Sequence, residues 1–121
     1  MSATKSNAML ATVFQGVFDT TYDITFRDRL PTFGTGCAKV TKGYIDPAND
    51  RIVIRRGLSP EDRAQTLLHE IVHDCYPDWS EKDVEDCARF VYDNLSNSDQ
   101  GIVQFLATDP ETIEPETTRT E

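Results

Sequence analysis

The sequence predicts an α+β domain. Apolar residues alternate with polar ones at a period of two in 22–27, a short run of branched apolar residues fills 51–55 after a loop of turn formers, and from residue 60 onward apolar residues recur at the three- and four-residue spacing of a helix. A chain of 121 residues, 38% apolar, holds one modest core. The expected architecture is a small antiparallel sheet packed on an N-terminal helix and on two consecutive helices. Residues 1–108 make up that domain, and 109–121 form an acidic disordered tail.

Met9, Leu10, Val13, Phe14, Val17 and Phe18 line one side of a helix beginning around Asn7. Tyr22, Ile24 and Phe26 alternate with Asp23, Thr25 and Arg27, as in a strand with one wet face. Pro31 and Gly34 to Gly36 break that pattern, and Ala38, Val40 and Thr41 predict a weaker strand ending at Gly43. The turn formers Asp46 to Asp50 precede Arg51 to Arg55, RIVIR, the clearest strand in the chain. Ser59, Pro60 and Asp62 form a helix start in which a hydroxyl accepts from an orphan amide and acids face the positive end of the dipole. Ala64, Leu67, Leu68, Ile71, Val72 and Cys75 continue that helix until Pro77 ends it, so it spans roughly Pro60 to Cys75. Ser80 and Asp83 repeat the start signal, and Val84, Cys87, Ala88, Val91 and Leu95 predict a second amphipathic helix from about Glu81 to Asn94. The short link folds the two helices against each other. Gln100 to Ala107 reads as a last helical turn or a short strand. From Asp109, five acids, two prolines and one large apolar residue cannot offset the entropy of ordering.

Twelve basic residues against 21 acids give a net charge of −9, which repels phosphate backbones and disfavours nucleic-acid binding. No apolar run approaches the roughly 20 residues of a membrane span, and no signal-peptide pattern opens the chain. Three cysteines, Cys37, Cys75 and Cys87, do not look like a disulfide framework, so a reducing cytoplasm is the expected compartment.

The chemistry lies in His69, Glu70, Ile71, Val72 and His73, an HExxH pattern on the first of the paired helices. Side chains at i and i+4 stand on one face, so both imidazoles can reach one Zn²⁺. Glu70 lies beside that face, where it can take a proton from a water activated by the metal and pass it to a leaving amine. These are the only two histidines in the chain, which makes their placement four residues apart a specific signal. Catalytic zinc takes three protein ligands and keeps one position open. The next helix offers Glu85 as the expected third ligand, with Glu81 in reserve; whichever does not coordinate can accept the N–H of a liganding imidazole and fix its tautomer. Cys75 and Cys87 with the histidines would instead make a closed Cys₂His₂ site without hydrolysis. Tyr76 and Tyr92 are candidate donors to a developing oxyanion, and Trp79 is expected to close the core over the helix pair.

The segment TLLHEIVHDCYPDWSEKDVEDCARFV, preceded by a strand and a capped helix, resembles small phage-encoded proteins of the zincin type. It carries Thr66 to His69, Glu70, His73, Ser80, Glu81, Val84 and Glu85. It is more distantly similar to the ImmA/IrrE-type minigluzincins and to SprT-like proteins, although its second helix follows after only a few residues. The resemblance covers about Arg51 to Leu95. It implies zinc ligands at His69 and His73, a general base at Glu70, a Glu ligand at Glu85, and, for a phage protein, the host cytoplasm.

The expected function is a zinc-dependent metallopeptidase acting on a peptide or protein substrate, with RIVIR as a sheet edge that receives an extended substrate strand. The alternative is a zinc-stabilised, catalytically silent module that grips a host or virion protein. The experiment that separates them is Glu70→Gln.

Overall fold

The computed structural model of the chain describes residues 3–28, 30 and 42–109. Its elements are α1 (Ala3–Asp19), β1 (Asp23–Arg27), β2 (Gly43–Asp46), a single 3-10 turn at Pro47–Asn49, β3 (Arg51–Arg55), α2 (Pro60–Cys75), α3 (Glu81–Asn94) and α4 (Asn97–Leu106). The α+β class is as expected. Cys37, residues 38–41 of the weak strand and the tail beyond Asp109 lie outside the described residues; where that strand is expected to end, at Gly43, β2 instead begins and takes in Tyr44, Ile45 and Asp46. Asp109 itself belongs to the fold: it is only 6% exposed, and its Oδ2 accepts a 2.7 Å hydrogen bond from Arg56 Nε.

The sheet is not purely antiparallel. Its order is β1-β3-β2: β2 pairs antiparallel with β3, from Gly43 opposite Ile54 to Asp46 opposite Arg51, whereas β1 runs parallel to β3, from Asp23 opposite Arg51 to Arg27 opposite Arg55. The β2–β3 reversal is local, made by the 3-10 turn and by Asp50 in the left-handed region at φ 53°. β3 takes the centre because Ile52, Val53 and Ile54 are all fully buried, which only a strand flanked on both sides achieves; β1, with Asp23 and Arg27 exposed, goes to an edge. RIVIR therefore has no free edge on which to receive a substrate strand, and that expectation is corrected.

Gly43 holds β2 tight against α2. A Cβ there would sit 2.6 Å from Thr66 Cγ2 and 2.8 Å from the Val53 carbonyl oxygen, and the latter is a backbone atom that cannot move without disturbing the ladder. Gly43→Ala is therefore expected to lower stability by about 1–3 kcal/mol through overpacking, measurable as a lowered midpoint in urea unfolding.

α2 is the central element. It packs on α1, α3, α4 and the sheet, and Ala64, Leu67, Leu68, Ile71 and Val72 on it are buried with Val13, Ile52, Ile54, Val84, Val91 and Val103. Gly16 lets α1 approach closely, since a Cβ there would meet Ile71 Cγ2 at 2.9 Å. Both predicted caps form, Ser59 Oγ accepting from the Asp62 amide and Ser80 Oγ from the Asp83 amide, each at 3.1 Å. Gln100 to Ala107 belongs mostly to α4, which starts with the same device, Ser96 Oγ accepting from the Asp99 amide at 3.1 Å. Among the described residues, no helix is long and apolar enough to cross a membrane.

Candidate metal centre

With its apolar stripe pressed into the core, α2 has one flank left that can reach solvent, and His69 and His73 stand on it one turn apart. Their ring centroids are 4.9 Å apart with an interplanar angle of 63°. The chain then reverses through Tyr76 to Ser80, where the Tyr76 amide closes α2 on the Val72 carbonyl at 2.8 Å and the Trp79 amide donates to the Tyr76 carbonyl at 3.1 Å. Capping at Ser80 puts Glu81 in the first turn of α3, where its charge also complements the helix dipole.

Glu81 faces both imidazoles. Its Oε2 lies 2.8 Å from His69 Nε2 and its Oε1 lies 3.1 Å from His73 Nε2. Glu85, one turn further on, is on the other side of the His69 ring, with Oε1 2.9 Å from Nδ1; Arg89 Nη2 donates to its second oxygen at 3.4 Å. Both ring nitrogens of His69 and Nε2 of His73 thus have a carboxylate oxygen within hydrogen-bond distance, and a carboxylate can only accept.

No known protein family, curated protein or solved structure matches this chain. The site has to be read from its own atoms.

Among the described residues, His69, His73 and Glu81 form a group whose ligand atoms all lie within 4.8 Å of one another. The 2.8 and 3.1 Å contacts use different oxygens of Glu81 and are hydrogen-bond distances as they stand. Two imidazole nitrogens and one carboxylate are a donor set that suits zinc and leaves a fourth position for a small molecule. Glu85, expected as the third ligand, is not in this group, which contains the reserve residue Glu81 instead; Glu85 lies against Nδ1 of His69, on the other side of the ring. The two acids share a flank of α3, and only the crossing of α3 over α2 decides which of them meets both rings.

Glu70 is 6% exposed, and its charge acts on both His69 and Glu81. Its pKa rises from the ordinary 4.5 to about 7, chiefly because burial penalises the carboxylate; His69 pulls it down and Glu81 pushes it up. A carboxyl balanced near neutrality can both take and return a proton there.

The remaining candidates lie elsewhere. Cys75 is two residues past His73, about 200° round the helix, and faces Gly16 of α1. Cys87 is buried on the apolar stripe of α3, and burial raises the pKa of both thiols. Neither joins the histidines, so the closed four-ligand site is not formed. Tyr92 is buried and its hydroxyl accepts from Gln104 Nε2 at 2.7 Å, which ties it to α4 rather than to the site. Tyr76 stacks on Trp79 at 4.1 Å and 10°, and Trp79, 36% exposed, lies on the surface instead of closing the core.

Proposed function

We propose that the chain is a zinc-dependent metallopeptidase in which His69, His73 and Glu81 hold the metal, Glu85 orients His69 and Glu70 is the general base. The observation that carries this reading is the convergence of both His Nε2 atoms on one Glu81 carboxylate beside a buried, proton-balanced Glu70. When bound, Zn²⁺ supplies Lewis acidity, making water a better nucleophile and polarising a scissile carbonyl. Glu70 accepts the proton released by the attacking water and returns it to the departing amine, so that the amine leaves neutral. Glu85 accepts the His69 Nδ1 hydrogen, which fixes the tautomer and presents Nε2 as the donor atom. The substrate we propose is a polypeptide, whose backbone can reach a site lined by the exposed Glu81 and Glu85 side chains.

Purification without added metal is expected to yield about one zinc per chain. An unfolded polypeptide should then be cleaved by the purified protein, with the cleavage lost on chelation and restored by zinc. A chain that neither retains nor takes up zinc would falsify this reading.

A further inference from the structure

α3 has two working flanks. Opposite Glu81 and Glu85, residues Asp83, Asp86 and Phe90 face α1 across an open groove of about 640 Å³, closed at one end by the stacked Tyr76 and Trp79 and walled on the α1 side by Met9 among others. Its surface is mainly apolar, and its size falls in the range of sites that hold a ligand. We infer that this groove docks a segment of a partner protein in which a bulky apolar side chain is flanked by Lys or Arg.

Charge selects that occupant. From Asp74 to Asp86 the chain carries six acids and one base, Lys82, and two of the acids line the groove itself. A second copy of the chain brings a net charge of −9, and residues 109–121 bring five acids against Arg119, so both are repelled. Nucleic acid and anionic lipid surfaces are disfavoured for the same reason. Lys82 Nζ holds Asp86 at 2.9 Å across one turn, but the pair is exposed and gives way readily to a competing cation. An amphipathic helix or short extended segment with an apolar anchor satisfies the groove, and its cations satisfy Asp83 and Asp86. The inference is independent of the metal reading, because none of the groove residues belongs to the histidine cluster.

Trp79 is the only tryptophan in the chain, so its emission reports directly on the groove. The probe is a synthetic peptide of about 14 residues with Leu at helical spacing and Lys between, titrated onto the full chain alongside the same peptide with Glu in place of Lys. The expected result is a saturable shift in Trp79 emission with the Lys peptide alone, weakening as salt rises. The Asp83→Asn, Asp86→Asn double variant should bind the Lys peptide at least about tenfold more weakly while keeping its circular dichroism and zinc content. No response to the Lys peptide, equal binding of the Glu peptide, or undiminished binding by the double variant overturns the inference. So does a Trp79 shift that depends on protein concentration alone, which would make a second copy the occupant.

Discussion

Glu81→Gln is expected to lower zinc affinity on the order of 10³-fold, and Glu85→Gln by about ten- to a hundredfold. The difference follows from position. Glu81 spans the two Nε2 atoms, and its amide counterpart takes away both a negative charge and a good oxygen donor at the point where the proposed cation would sit. Glu85 meets the far nitrogen of one ring, so its loss loosens the orientation of His69 without removing a donor. Competition against a chelating dye measures both affinities. Thermal unfolding at fixed free zinc checks them independently, because an ion that binds only the folded chain stabilises it by about 1.4 kcal/mol for each tenfold of affinity at saturation. A larger loss for Glu85→Gln than for Glu81→Gln would restore the assignment expected from sequence.

That pair of acids marks where sequence reasoning reaches its limit. α2 and α3 are legible to the residue, Pro60–Cys75 and Glu81–Asn94, because their starts and stops are local chemistry: Ser-x-x-Asp caps at Ser59 and Ser80, and a proline at Pro77. α4 carries the same signal at Ser96 and Asp99, although the pattern from Gln100 onward on its own leaves helix and strand open. β1 is visible as a periodicity and β3 as a run of branched apolar residues, but β2 begins at Gly43, where the expected second strand ends, and the order of the strands is not legible. Pairing of β1 with β3 joins residues 28 positions apart, and it is settled by which strand has the most apolar surface to bury on two faces. HExxH places His69, Glu70 and His73 on one turn of helix, whereas the choice between Glu81 and Glu85, one turn apart, depends on the angle at which α3 crosses α2. The groove between α1 and α3 is invisible in the sequence for the same reason, since its walls are nearly 80 residues apart.

Glu70→Gln tests catalysis without touching the ligands. The amide keeps the shape of the side chain, so zinc content should stay near one per chain, yet it cannot accept a proton, and cleavage of an unfolded polypeptide should fall by about 10²- to 10⁴-fold. Retained cleavage would remove Glu70 from the chemistry; a biological effect that survives the substitution would favour the silent binding module. The same variant has a signature in the metal-free chain that does not depend on activity. Folding raises the Glu70 pKa from 4.5 to about 7, so between those values the folded chain binds more protons than the unfolded one. The resulting stabilisation is complete below pH 4.5 and is lost as pH rises through 7, with an upper size of about 3 kcal/mol. Gln has no charge to bury, so the stability advantage of Glu70→Gln over the unsubstituted chain should be larger at pH 8 than at pH 5, read as a pH-dependent gap in urea midpoints. Zinc at the histidines should narrow that gap, because a divalent cation beside Glu70 favours the carboxylate that burial alone disfavours.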